Sequence, residues 1–295
     1  MGEMLNWDDM RVFLGVARAE RLSAAAPKLK MDPATLSRRI MRLEQTMGQT
    51  LFVKSPQGYR LTDAGQRILE EASEAETALM RAFDASARSG TALSGQIRIG
   101  APDGCAGYLL PQVCAKIQAD NPELEIQILS LPRVVNLSQR EADMAITVSP
   151  PSTGRYTVQK ITDYSLRLAM SAYATPPKTL ADLGDLPVVG YIQDMIFDKE
   201  LDYLDTLKRQ TAQLTSNSVA VQMHLIQQSR GVGFVHDFAL PAFPNLRRVL
   251  QADVCLTRSY YLVRHASDRT SERLQTFAEA LLAGMRAEVS RLEAA

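Results

Sequence analysis

The stretch from Ser23 to Gly65 constrains this chain most. Its order is a short Ala-rich helix, a helix crowded with small and basic residues, then an apolar strand, a turn and a returning strand. A helix-turn-helix followed by a hairpin wing is how one helix is offered to the major groove of DNA. A preceding helix is predicted over Met10, Phe13, Leu14 and Val16-Ala17, apolar at helical period after an acidic start at Asp8 and Asp9. Ser23 is the expected N-cap of the second helix, which would bury Ala25, Ala26 and Leu29, with Pro27 at the edge of tolerance. Asp32-Pro33 is a cleaner start, a cap followed by a proline in the first position.

From there Leu36, Ile40 and Leu43 are expected to point inward. Pro33, Thr35, Ser37, Arg38, Arg39 and Arg42 form the candidate DNA-contacting set, suited to phosphates and base edges. Leu51-Phe52-Val53 and Tyr59-Arg60-Leu61 read as the strands of a hairpin around Ser55-Pro56-Gln57-Gly58, with Lys54 and Arg60 as backbone contacts. Residues 1–60 hold ten Lys/Arg against six Asp/Glu, whereas the whole chain balances 33 against 33. A basic segment on a neutral protein is the electrostatic footprint of a nucleic-acid module.

Ser23-Ala-Ala-Ala-x-x-Leu29, Leu36-Ser37-Arg38-Arg39-Ile40-x-x-Leu43-Glu44, Gly48, Leu51-Phe52 and Leu61-Thr62-x-Ala64-Gly65 together resemble the N-terminal domain of LysR-type transcriptional regulators. Gly95-Gln-Ile-Arg-Ile-Gly100 is similar to the first strand of that family's effector domain, so the resemblance covers nearly the whole chain. It implies two Rossmann-like subdomains of periplasmic-binding-protein type, DNA and a small-molecule effector as partners, and regulation rather than catalysis. The chain departs from the family at Glu20-Arg21, where Gly-Ser is usual, at Pro33, where glutamine is common, and at Lys54, where arginine is common. Those departures bear on base preference.

Thr62 to about Arg88 reads as one long helix with a narrow seam at Ile68, Ala72, Ala75, Leu79 and Ala82. Such a seam suits pairing of two chains into a homodimer or homotetramer, which would let two half-sites be read; the alternative is a helix packed on its own domain. Ser89-Gly90 and Ser94-Gly95 are the expected hinge. The expected division is thus a winged helix-turn-helix at 1–61, a linker helix at 62–90 and a two-lobed α/β effector domain at 91–295. Lobe I would take about 91–161 and 266–295, and lobe II about 162–265.

Within that last part, strands are predicted at Ile97–Gly100, Glu125–Leu129, Asp143–Val148, Leu166–Ser171, Val188–Tyr191, Gln213–Thr215, Gly233–Val235 and Cys255–Arg264. Helices are predicted at Tyr108–Ala119, Val134–Arg140, Val219–Ser229 and Glu272–Leu292, a rhythm that implies parallel sheet. Ligands of open α/β sheets sit beyond the carboxyl ends of strands, beside helix N-termini. By that rule the candidate effector residues are Asp103, Gly104 and Cys105, then Ser130, Thr147 and Ser149, then Asn217, Ser218 and His236. Small hydroxyls and helix N–H groups favour a small polar or anionic ligand, although Asp103 repels an anion unless it is paired.

No run of 18 apolar residues exists, and Asp and Arg stand in the first 20 positions, so a cytoplasmic protein without membrane association is expected. Cys105, Cys114 and Cys255 lack C-x-x-C spacing, and His224, His236 and His265 are scattered, so neither metal nor cofactor is expected. Two alternatives stay open. Cys105 beside a helix N-terminus suggests a thiol-based redox sensor on the same scaffold, and an enzyme carrying a DNA-binding head is the other.

Overall fold

Capping side chains and close backbone approaches set the N-terminal elements of the computed structural model, which describes residues 6–55, 58–86, 93–130, 137, 141–152, 154–184 and 186–294. Its two units divide near residue 90. Helix α1 (Trp7–Ala19) is capped by Asn6, whose side chain accepts from the Asp8 N–H at 2.8 Å. Helix α2 (Leu22–Leu29) starts after Arg21, two residues before the expected Ser23 cap. The cause lies in the preceding turn: Glu20 takes a left-handed φ of 55°, and its carbonyl accepts from the Tyr59 N–H at 2.7 Å. Pro27 sits inside α2 on its exposed side, near the end of a helix only eight residues long.

Helix α3 (Pro33–Met47) begins as its sequence demands. Asp32 accepts from the Thr35 N–H at 2.9 Å and from the Thr35 hydroxyl at 2.7 Å, and Gly48 ends the helix in the left-handed region. Leu36, Ile40 and Leu43 are buried against Phe13, Leu14 and Val16 of α1. Strands β1 (Phe52–Ser55) and β2 (Gly58–Leu61) form the antiparallel wing, with Phe52 opposite Leu61 and Lys54 opposite Tyr59. Residues 56 and 57 of the expected turn lie outside the described residues.

Two devices seat the wing. Glu44 accepts the N–H groups of Leu51 and Phe52 at 2.7 and 3.1 Å. At the other end the Thr62 hydroxyl accepts from the Gly65 N–H at 3.0 Å at the start of helix α4 (Asp63–Ser86). A Cβ on Gly65 would stand 2.2 Å from the Leu51 carbonyl oxygen, so only glycine fits. The N-terminal half of α4 packs on this unit through Ile68, Leu69 and Ala72, and Arg18 reaches Glu76 at 2.6 Å. Further along, Ala75 is exposed and Leu79 is 44 % exposed. The seam therefore divides, its first part serving the domain's own core and its second facing solvent. The side chain of Ala82 and the proposed hinge at Ser89-Gly90 lie outside the described residues.

The second unit is built on one nine-stranded sheet. In chain order it runs β3 (Gly95–Ala101), α5 (Asp103–Tyr108), α6 (Leu110–Asp120), β4 (Leu124–Ser130), β5 (Met144–Thr147), β6 (Tyr156–Ser171), β7 (Val188–Gly190), β8 (Leu214–Thr215), α7 (Val219–Gln228), β9 (Val232–His236), β10 (Leu246–Arg248), β11 (Cys255–His265) and α8 (Glu272–Glu293). The predicted helix over 108–119 is α6, which starts two residues later with Pro111 in its first turn, and the separate short helix α5 stands ahead of it. The predicted helix over 134–140 lies, except for Leu137, outside the described residues.

The strand order is β4-β3-β5-β11-β6-β9-β7-β8, with β10 on β6. One end is parallel (β4, β3, β5), and so is the other (β9, β7, β8). Antiparallel pairing of β11 with β5 and β6, and of β6 with β9, welds these two lobes. The crossing expected around Ile161–Ser165 falls within β6, which runs unbroken for 16 residues. Its register shifts there: Thr162 opposes Tyr260 and Lys160 opposes Tyr261, leaving Ile161 as an unpaired bulge. Helix α8 braces this strand: Arg286 Nε donates to the Ile161 carbonyl that the bulge leaves over at 2.7 Å, and Glu293 accepts the Ser165 N–H further along at 2.7 Å.

Gly65→Ala should cost about 1–3 kcal/mol, because its Cβ must push the Leu51 carbonyl off the end of the wing. Urea unfolding of parent and variant measures this directly. An unchanged midpoint would mean that the wing–helix junction opens freely.

Candidate functional site

On α3 the face opposite the buried Leu36, Ile40 and Leu43 is Ala34, Arg38, Met41 and Gln45, all exposed. Arg38 is its cation, steadied by a hydrogen bond from Nη2 to the Thr35 hydroxyl at 3.1 Å. That hydroxyl is in turn held by Asp32, so cap and cation form one chain of contacts. Pro33 is the exposed first residue of the helix.

Arg39 and Arg42 lie elsewhere. Asp9, in the first turn of α1, is only 2 % exposed. Arg42 grips it with two nitrogens, Nε to Oδ2 at 2.5 Å and Nη2 to Oδ1, and Arg39 Nη1 adds a third contact at 3.3 Å. A buried carboxylate held by a bidentate guanidinium is a strong, directional pair. These two arginines fasten α3 to α1. Ser37 stands half-buried on the opposite flank, so Ser37, Arg38 and Arg42 do not share one face. In the wing, Lys54 lies over the Tyr59 ring at 5.7 Å and Arg60 is exposed on β2. Tyr59 packs edge-on against Phe52, and Phe52 against Phe13, which ties the wing's cation to the helical core.

In the second unit, several predicted effector residues converge where the two lobes face each other. Asp103, after β3, accepts from the Ser130 hydroxyl at 3.1 Å, from the Ser218 hydroxyl at 3.1 Å and from the Val219 N–H at 2.6 Å. Gly104 packs against the His236 ring so tightly that a Cβ there would sit 2.7 Å from it. His236 is 5 % exposed, stacks on Tyr164, and its Nδ1 has no hydrogen-bond partner among the described residues. Burial pushes its pKa down to about 4, with the charge of Asp103 opposing the shift, so the ring is neutral at pH 7.

Other candidates have other work. Thr147 donates to the Ser149 carbonyl at 2.7 Å, and the Ser149 hydroxyl donates to the Asp198 carboxylate. Asn217 is half-buried beside the start of α7. Cys105 is fully buried in the core, and desolvation drives its thiol well above the ordinary range; Cys114 is pushed up to about 12 for the same reason. A redox-sensing thiol needs exposure and a lowered pKa, so the thiol-switch alternative loses its residue.

Sequence reasoning missed the buried aromatic stack behind this cluster. Tyr164 of β6 and Tyr260 of β11 stack at 4.2 Å, and both are buried. Tyrosines in strands read as ordinary β-formers, and only the pairing of β6 with β11 and β9 stacks the two rings and sets Tyr164 against His236. Among the described residues, no group of His, Cys, Asp and Glu could hold a metal, and no helix is long and apolar enough to cross a membrane.

A capped, outward-facing basic helix with a wing, on a chain that also carries a two-lobed binding domain, defines a DNA-binding regulator with a sensory half. Two family models match: "Bacterial regulatory helix-turn-helix protein, lysR family" over residues 7–66 and "LysR substrate binding domain" over residues 90–286. The chain belongs to the LysR family of transcriptional regulators. It is 25 % identical over 241 residues to the mau operon transcriptional activator of Paracoccus denitrificans, covering 79 % of this chain and 80 % of that one. It is 31 % identical over 159 residues to the regulator DgdR of Burkholderia cepacia, where the match spans only 52 % of either chain. Among solved structures, a full-length OxyR variant from Pseudomonas aeruginosa superposes with a TM-score of 0.70 at 18 % identity, over 96 % of this chain and 95 % of that one, a likeness of fold.

A neutral buried His236 makes the domain acid-sensitive. The unfolded ring takes a proton below its ordinary 6.5 and the folded ring only near 4, so stability is complete above pH 6.5 and drains as pH falls toward 4. At full expression the loss is about 3 kcal/mol. His236→Phe should flatten that part of the stability–pH profile in denaturant titrations; an unchanged slope would mean that the ring takes its proton as readily in the folded state as in the unfolded one.

Proposed function

We propose that this chain binds double-stranded operator DNA as a homo-oligomer in the cytoplasm, and that a small molecule in the cleft beside Asp103 and His236 adjusts that binding. The observation that carries the DNA half is the placement of Arg38: it points away from the core on a helix whose cap orders it and whose flank is pinned by Asp9. Arg38 then reads base edges in the major groove, Lys54 and Arg60 contact the phosphate backbone, and Pro33, Thr35 and Ser37 line the approach. Arg39 and Arg42 act indirectly, by holding α3 at its angle to α1.

The oligomer forms through the solvent-facing half of α4 around Ala75 and Leu79, where an apolar stripe has no partner within the described residues of its own chain. The chain divides functionally at 1–61, 62–90 and 91–295, with lobes near 91–161 plus 266–295 and 162–265. It works by binding and not by catalysis. At the cleft the Ser218 and Ser130 hydroxyls donate straight to a carboxylate, with no imidazole between to relay a proton, so neither serine is set up as a nucleophile.

Gel-shift titrations on the chain's own upstream DNA and on random DNA test the first half. Arg38→Ala should cost about 1–3 kcal/mol on the specific site and much less on random sequence. Arg42→Ala should instead lower the stability of the head, because it leaves the buried Asp9 with only the longer contact to Arg39. Equal losses on both DNAs for Arg38→Ala would reduce it to a phosphate contact.

Leu79→Glu puts a charge on the exposed seam and should shift the light-scattering mass toward monomer, with operator affinity falling in step. A mass unchanged by Leu79→Glu would remove α4 from the interface.

A further inference from the structure

Asp103 joins the two lobes. It follows β3 in one lobe, and its Oδ2 accepts from the Val219 N–H at 2.6 Å and the Ser218 hydroxyl at 3.1 Å at the start of α7 in the other. The N-terminus of a ten-residue helix, with its unfilled N–H groups and partial positive charge, is a place for an anion. Here a protein carboxylate holds that place. Ser218, the N-cap residue, makes no side-chain cap for its own helix and donates its hydroxyl to Asp103 instead. Ser130, on the first lobe, donates to the remaining oxygen at 3.1 Å.

A second observation marks the same spot as built for a ligand. The His236 ring lies against Gly104, the neighbour of Asp103, and its Nδ1 is buried without a hydrogen-bond partner among the described residues. A buried ring nitrogen left unpaired is costly, and a bound ligand is one thing that can pair it. Among the described residues, Asp103 accepts hydrogen bonds from neutral donors only: two hydroxyls and a backbone N–H. A second carboxylate brought to this position would meet like charge at hydrogen-bond range, with its donors already taken.

We propose that Asp103 sets the ligand specificity of the cleft. Its carboxylate fills the anion position of α7 from within the chain, so the cleft rejects carboxylate ligands there and takes an uncharged or cationic one whose N–H or O–H groups reach Asp103. This rests on reading the cleft as the effector site. The test of the anion position, however, needs no effector.

Asp103→Ala removes the carboxylate group alone, and formate is that group as a free ion. Full-length parent, Asp103→Ala and Asp103→Asn are melted during titration with sodium formate, against sodium chloride at matched ionic strength. Asp103→Ala should melt below the parent, and formate should restore at least half of the lost melting temperature in a saturable way. The parent and Asp103→Asn, whose side chains occupy the position, should respond to formate no more than to chloride. Formate acting equally on parent and Asp103→Ala, or failing to act on Asp103→Ala, overturns the proposal. Should Asp103→Ala not fold, Asp103→Ser opens nearly the same vacancy with a hydroxyl near the α7 start, and the same outcomes apply. The effector reading fails separately, if Ser218→Ala leaves the inducer's effect on DNA binding intact while formate rescue holds.

Discussion

The second unit depends on the pairing of β6 with β11. Eleven residue pairs run from Cys255 opposite Arg167 to His265 opposite Tyr156, and each lobe's parallel strands attach to one end of that ladder. A parallel sheet needs crossover connections, whereas two parallel sheets of opposite direction can share an antiparallel pair at their junction. The junction must bend to let the lobes face each other, and the bulge at Ile161 supplies the bend. The Ile161 carbonyl that it leaves over is met by Arg286 of α8, and Glu293 of the same helix accepts the Ser165 N–H further along the strand. The last helix of the chain is thus a brace for the middle of the sheet.

The first unit depends on a different interaction, the buried carboxylate of Asp9. Burying a charge is unfavourable unless it is paired and hydrogen-bonded, and Arg42 and Arg39 supply both. Hydrophobic contacts of Leu36, Ile40 and Leu43 hold α3 to the core but tolerate small rotations. A bidentate guanidinium tolerates much less, because both nitrogens must keep their oxygens. A helix that must offer Arg38 at a fixed angle gains from such a clamp. The one carboxylate of Asp9 offsets one positive charge of this pair, and Asp8 stands 3.7 Å from Arg39 Nη1, so the head is less basic toward DNA than its count of Lys and Arg suggests.

Much of this was legible in the sequence where one physical rule dominates. The Asp32-Pro33 start, the inward Leu36, Ile40 and Leu43, and the βα rhythm of the second unit follow from capping and periodicity, and all stand in the structure. Local rules failed where distant contacts decide. The start of α2 moved to Leu22 because the wing holds Glu20, thirty-nine residues before Tyr59. Arg39 and Arg42 read as candidate DNA contacts, and nothing local reveals that they also hold Asp9, thirty residues before Arg39 and buried beneath them. Of the effector candidates, Asp103, Ser130 and Ser218 share hydrogen bonds, and Gly104 with His236 adjoins them. Thr147 and Ser149 sit at the expected strand end, yet their hydroxyls turn to the Ser149 carbonyl and Asp198. Strand ends can be read from a pattern, but the direction of a hydroxyl cannot.

The bridge through Asp103 also bounds what an effector can accomplish. A ligand shifts an equilibrium between conformations only by the difference in its affinity for them. In the arrangement seen here, Asp103 already links the lobes through Ser218 and Val219, as Ser149 does through Asp198. A ligand that merely bridged the lobes again would add little, since those donors and acceptors are occupied. One that favours this state must use what it leaves open, chiefly His236 Nδ1 beside the Tyr164 and Tyr260 stack. One that favours a wider cleft must compete for Val219 or Ser218 and leave the half-buried Asp103 with new partners, because a carboxylate stripped of its hydrogen bonds offsets part of what the ligand's own hydrogen bonds return. The two kinds of ligand make opposite demands on Asp103, so this single side chain determines which direction of response the cleft can support.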